Sequence, residues 1–500
     1  MREAEECSPR RWRLRLCVGL GWSAALLLRV VCVLLGAPSS LSRRVEISTP
    51  VNSFVRLAEG FWLKNTGHSS YAGSAYHGSP LLLAILGPLT KSRAGGAPVL
   101  ELSLSLLCVT ADLAAAVLLV EIGRHLQVAQ SKQFSNLGLT KLIKNAGGPN
   151  PGVGEIAAMF YLWNPFTIVS CVGGCTSSLE NAMIILSLYG AITGNIPLAA
   201  FGWVIATHCS LYPAILLIPI VLCVTTGIDH PPKKLFKGAS CCEPSIKESE
   251  SNYLSASGKR IAGPCSEQDL SAGSFYNFEA TKLRDMLIWS VLWWTYVLLL
   301  CKISVAKSGG LQQMFSETYG FILNVEELSP NLGVFWYFFT EVFDFFRPFF
   351  LLVFHANILF MILPLSIRLH HRPIFLAFVF CSIIAMLKSY PCVGDTALYL
   401  GLMPLFITEL SGMRFTFFLL NGYIGIALLS PVMYNLWIWR GTGNANFYFA
   451  MALSYACVQL ILLVESVRAL YGNKLHMIAM KKIRSFYFDM RTTLKCLSMW

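Results

Sequence analysis

YGFILNVEELSPNLGVFWYFFTEVFDFF (residues 319–346) and LKSYPCVGDTALYL (residues 387–400) set amides and charges directly beside apolar runs. At bilayer depth such a group is costly unless it finds a partner or a ligand, so these residues are both structural and functional markers. Apolar runs of this length satisfy their backbone in lipid only as helices, and the surrounding chain repeats the pattern from end to end. The fold class follows as an all-α polytopic membrane protein.

Composition agrees. The 500 residues are 55% hydrophobic and 13% charged, where a soluble domain carries about 25% charged residues. A formal charge of +12 raises the question of nucleic acid, but the lysines and arginines sit at the ends of apolar runs and form no single basic face, which points to membrane topology and not to nucleic acid. Sixteen cysteines lie largely inside apolar spans and read as small fillers. Cys171 and Cys175 have no second pair at metal spacing. No metal or cofactor is expected.

Twelve crossings are expected, near 16–36, 98–120, 157–172, 176–193, 197–209, 211–227, 284–303, 333–365, 373–389, 396–410, 415–432 and 447–470. The 333–365 segment is long enough to bend at Pro348, and Leu81–Leu89 is too short to span. The run 16–36 follows Arg10, Arg11, Arg13 and Arg15; it exceeds a secretory core and reads as an uncleaved first helix. The resulting organisation is a basic N-terminus (1–15), a first membrane bundle (16–227) with a long loop at 38–79, a polar disordered linker (228–283), a second bundle (284–470) and a basic tail (471–500).

With both termini cytoplasmic, the basic patches at 124–144, 233–260, 368–372 and 468–495 all fall inside. Arg43, Arg44, Arg56 and Lys64 are exceptions. The same layout sends the polar clusters 46–77, 171–178, 312–331, 389–395 and 434–446 to one opposite face, lumenal or external.

No G-x-S-x-G, HExxH, Walker A or GxGxxG occurs, which removes hydrolase, zincin and nucleotide-binding readings and leaves lipid-linked substrates or transport. The loop RRVEISTPVNSFVRLAEGFWLKNTGHSSYAGSAYHGSPLLLAIL (43–86), with Trp163-Asn164-Pro165-Phe166 and Ser210-Leu211-Tyr212-Pro213, resembles the GT-C membrane glycosyltransferases, the glycosylphosphatidylinositol (GPI) mannosyltransferases among them. Their loop carries an acidic pair, because a base and a leaving-group organiser are both needed. Here Glu46 stands between Val45 and Ile47, with Glu59 far downstream. The pair is missing.

A second resemblance covers roughly residues 40–465. ELSPNLGVFWYFFTE (327–341), LPLSIRLHHRPIF (363–375), KSYPCVGDTALY (388–399) and GTGNANFY (441–448) are similar to the PIG-U family, the multispanning class U subunits of the GPI transamidase, as are HGSPL (77–81), NPFTIVSC (164–171) and SLYP (210–213). The resemblance implies a GT-C-like bundle of about 12 helices, an endoplasmic-reticulum membrane location, and a subunit with no catalytic residue of its own. It also implies sister subunits, including a caspase-like one that supplies the nucleophilic cysteine, and a GPI glycolipid or a proprotein's C-terminal signal as ligand. A mannosyltransferase using dolichyl-phosphate mannose is the alternative, and a scramblase a third reading.

Several residues become candidates for that site. Asn444 and Asn446, after Gly441 and Gly443 in a break between helices, read as headgroup donors or as caps of the helix beginning near Phe447. Asp395 reads as a glycan contact or as the cap of a helix opening at Thr396. Lys388 and Tyr390 are phosphate or glycan donors from the same bend, or a snorkelling lysine and an aromatic-belt tyrosine. Asn331 shares the loop before the aromatic run Phe335, Trp336, Phe338, Phe339, Phe343, Phe345 and Phe346, which is either a lipid-facing wall or interhelix packing. Glu341, His355 and Asn357 read as hydrogen bonders to other helices of this chain or of a partner subunit, and His77 and Glu46 as remnants of the glycosyltransferase loop or as structural hydrogen bonders.

Overall fold

The structure is a computed structural model that describes residues 9–73, 75–90, 98–136, 152–228, 279–306 and 309–497. The expected linker at 228–283 lies almost wholly outside them. Helices dominate, and the described residues contain no strand beyond an isolated bridge between Ser53 and Cys175.

Among the described residues seven helical segments are long and apolar enough to cross a membrane: Leu16–Leu34, Leu102–Lys132, Ala280–Val305, Asp344–Leu369, Val393–Leu410, Thr416–Trp439 and Ala445–Gly472. Val153–Trp163 and Pro165–Val172, bent by 53°, make an eighth if counted as one span. The other four expected crossings fold as shorter helices: Ser177–Thr193, Ile196–Ser210, Tyr212–Thr226 and Pro373–Leu387. The last helix runs on from Ala445 to Leu497, so the basic tail continues it.

Proline and asparagine account for the main breaks. Asn164 accepts a hydrogen bond from the Phe166 N–H at 3.1 Å while Pro165 opens the next helix, which turns the W-N-P-F motif into the 53° bend. The 333–365 segment is a correction to the expected single bent span. Phe335–Glu341 stops at Val342 and Phe343, both extended, a short turn follows at Asp344–Phe346, and a new helix runs Arg347–Leu369. Pro348 lies in that helix's first turn, where its missing N–H costs nothing. It starts a helix and bends none.

Ser177–Thr193 packs along both Ile196–Ser210 and Pro98–Asn136, and Pro98–Asn136 in turn packs on Val153–Trp163. Small residues permit this closeness: a Cβ on Gly154 would lie 2.4 Å from the Val120 carbonyl oxygen, and one on Gly123 would meet Gly154 at 2.3 Å. Between the bundles stands Pro373–Leu387, buried at every position from Pro373 to Ala385 and apolar all round. Its 15 residues rise only about 22 Å, short of a bilayer's hydrocarbon core. The chain that leaves its end, beginning at Lys388, is therefore held inside the protein.

An ion pair fastens the first helix to this core. Arg29 Nε lies 3.3 Å from Asp112 Oδ2, with the two side chains 1% and 0% exposed. Arg29 Nη1 also donates to the Ala25 carbonyl, and the Tyr161 hydroxyl donates to Asp112 Oδ1 at 3.3 Å. Both charges sit within spans, where an unpaired charge is costly.

Candidate functional site

Two chain breaks meet to form a polar cleft. The S-L-Y-P motif ends Ile196–Ser210 with Leu211 at φ 63°, a strained value for a leucine, and delivers Tyr212 to the bend between Pro373–Leu387 and Val393–Leu402. The Tyr212 hydroxyl lies 2.8 Å from Ser389 Oγ and accepts the Ser389 N–H at 3.0 Å, while Ser389 Oγ donates to the Ile322 carbonyl. Lys388 Nζ donates to Asp395 Oδ1 at 2.6 Å, and Asp395 Oδ2 accepts the Cys392 N–H at 2.8 Å. Asp395 is thus the third residue of a helix that opens at Val393, not the cap of one opening at Thr396. Its carboxylate closes the first turn from within.

The cleft encloses about 370 Å³ of non-atom space, solvent at its mouth included, between Lys388, Tyr390, Tyr212, Glu180, Asn52 and Thr49 among others. Burial by itself would push the Lys388 ammonium down, but the Asp395 and Glu180 carboxylates outweigh it and hold the group above the ordinary lysine value. Burial pushes the Tyr390 phenol up, so it stays a neutral hydroxyl. With the Lys388 cation facing the Asp395 and Glu180 carboxylates, the cleft favours hydroxyl or ammonium groups over a further anion.

Four of the five polar clusters expected on one face, all but 434–446, are joined around this cleft. Asn52 bonds the Thr49 N–H and Ser177 Oγ, and its carbonyl accepts from the Thr176 N–H. The Glu46 carbonyl accepts the Val393 N–H at 2.9 Å. His77 stacks on Phe321 at 3.6 Å, and Phe321 stacks on Tyr390 at 5.3 Å. The Tyr390 hydroxyl accepts the Glu327 N–H, and Glu327 binds Arg56 through two contacts of 2.6 and 2.7 Å. Arg56, an exception to the charge rule, is spent on this pair.

Asn331 is buried and bonds its own loop, accepting from the Gly333 N–H and donating to the Ser329 carbonyl. Asn444 and Asn446 lie apart from the cleft, exposed at the start of Ala445–Leu497. Asn444 Oδ1 accepts the Asn446 N–H at 3.1 Å, as a cap does, and Asn446 Oδ1 accepts from Tyr337. The aromatic run divides: Phe335, Trp336 and Phe339 are buried, with Trp336 stacked on Trp437 at 6.0 Å, whereas Phe343, Phe345 and Phe346 are exposed. His355 bonds the Leu323 carbonyl at 2.8 Å; Glu341 and Asn357 are exposed.

Glu46 is buried beside Ser430 and Tyr448, and burial raises its carboxyl above the usual range. Its surroundings pack a helix junction. Among the described residues no cluster of three or more His, Cys, Asp or Glu side chains is placed to hold a metal ion. Sequence reasoning passed over Glu180, Arg29 and Asp112, although each was legible as an ionisable residue in or beside an apolar run.

The model of the family described as GPI transamidase subunit PIG-U matches residues 23–455. The chain belongs to the PIG-U family. It is 30% identical to the human GPI-anchor transamidase component PIGU, with 85% of this chain and 87% of the relative covered. It is 29% identical to the GPI transamidase component GAB1 of Saccharomyces cerevisiae and 26% identical to the GAB1 homolog of Schizosaccharomyces pombe, at similar coverage. The family match spans the cleft, the buried helix Pro373–Leu387 and residues 441–448, and leaves the N-terminal end and the basic tail outside it.

Proposed function

We propose that this chain is a non-catalytic subunit of a GPI transamidase complex in the endoplasmic-reticulum membrane. It binds the GPI glycolipid, or the attachment signal of the proprotein, and presents it to a nucleophilic cysteine on a caspase-like partner. The family match over 23–455 carries this reading. Supporting it, the loop that resembles a glycosyltransferase loop has one carboxylate where that chemistry needs two, and Glu46 is packed among Ser430 and Tyr448 at a helix junction. The mannosyltransferase reading is not favoured.

In this proposal both termini are cytoplasmic and the cleft side is lumenal. A GPI molecule needs an apolar opening for its acyl chains beside donors for phosphate and sugars. The exposed Phe343, Phe345 and Phe346 offer the first, and the exposed amides of Asn444 and Asn446 the second. Lys388 and Tyr390 line a hydroxyl-selective cleft for glycan, with Asp395 holding Lys388 in place and Asn331 shaping the adjoining loop. Glu341 remains open to a partner or a headgroup. Purification from mild detergent tests the assignment: the expected eluate holds the caspase-like subunit and its companions and transfers no mannose from dolichyl-phosphate mannose. Mannose transfer lost on Glu46→Gln, with no companion subunits, overturns it.

A further inference from the structure

Of the seven described spans Asp344–Leu369 is the least enclosed: within Arg347–Leu369 only Ile358 and Leu369 are buried. Exposed apolar side chains alone need nothing but lipid. Asn357 is different, because it lies thirteen residues after Asp344 and twelve before Leu369, close to the bilayer midplane, with its side chain exposed. Its neighbour His355 is satisfied by the Leu323 carbonyl at 2.8 Å. Asn421, in the span Thr416–Trp439, donates to the Phe417 carbonyl one turn back. Asn357 does neither, and makes no hydrogen bond to any described residue. An unpaired carboxamide facing acyl chains loses the hydrogen bonds it would have in water.

The residues around it have a regular spacing. Phe346, Phe350, Val353, Asn357, Phe360 and Pro364 recur at intervals of four and three, the seam spacing of left-handed helix pairs. Val353 and Phe360 on that seam are 44% and 76% exposed, and Phe346, in the turn before the helix, is 49% exposed, whereas Phe350 is half-buried against Phe338 at 5.0 Å, so the open part of the seam runs from Val353 to Pro364. A single asparagine within an apolar seam fixes register between paired helices.

We infer that this seam packs against a transmembrane helix of a different polypeptide, which brings a hydrogen-bonding side chain to Asn357 at mid-bilayer. An acyl chain covers the phenylalanines equally well but cannot satisfy the amide. The choice of a different polypeptide over a second copy rests on the proposed membership of a multisubunit complex.

The test places the photoreactive residue p-benzoyl-phenylalanine at Phe360, and separately at Leu359, which is 65% exposed but off the seam, in the full chain within native membranes. Irradiation is expected to join Phe360 to another membrane polypeptide, with about fivefold less adduct at Leu359 and a similar loss when Asn357→Leu is added. Asn357→Gln retains the adduct. Lipid adducts only, equal yields at the two positions, or a product of twice the chain's mass overturns the inference. The same extract is probed for companion subunits: their absence refutes the proposed function, whereas their presence without a Phe360 adduct refutes this seam alone.

Discussion

Arg29→Leu is expected to destabilise the protein by about 3–5 kcal/mol, because it leaves the Asp112 carboxylate buried without its cation. The two side chains are among the least exposed charges in the molecule, and their contact ties the Leu16–Leu34 span to Leu102–Lys132. The readout is the midpoint of thermal aggregation of the detergent-solubilised protein, followed by size-exclusion chromatography. Asp112→Leu added to Arg29→Leu is expected to recover much of the loss, since a matched apolar pair in place of a buried ion pair is often neutral or stabilising. An Arg29→Leu protein as stable as the parent would show that the pair carries no such constraint.

Asn446→Lys and Asn444→Lys are expected to lower the surface level of GPI-anchored proteins while leaving the chain's abundance and its companion subunits unchanged. The amides stand exposed at the start of the last helix, so a lysine fits sterically. It loses the acceptor that Tyr337 uses, or the cap on Ala445–Leu497, and brings a charge to the proposed headgroup site. Losing one amide contact to the headgroup costs about 1–2 kcal/mol, roughly a five- to thirtyfold fall in affinity. Flow cytometry of an anchored reporter in cells carrying only the variant reads the effect. Normal reporter levels would remove both amides from the headgroup role.

Much of this was legible because lipid imposes so few solutions. A run such as 16–36 or 415–432 has only a helix available to it, and proline and asparagine mark where helices stop, as at W-N-P-F. The convergence of the 46–77, 171–178, 312–331 and 389–395 clusters followed from topology alone. What stayed hidden was pairing. Lys388 read as a free donor because nothing in the sequence says that Asp395, seven residues on, returns to it across a helix start. Arg29 and Asp112 are 83 residues apart, and sequence reading singled out neither, because nothing local joins them. Pro348 misled for a local reason: proline bends a helix from its interior but begins one from its first turn, and sequence alone does not fix which position it holds.

The most direct test of the central claim is anchoring in cells that lack their own member of this family. Expressing this chain there is expected to return GPI-anchored reporters to the surface, with the chain recovered alongside the caspase-like subunit, and the Glu46→Gln form is expected to restore anchoring equally well. Reporters that stay unanchored despite normal expression of the chain, or rescue that disappears with Glu46→Gln while mannose transfer is detected, would contradict the account.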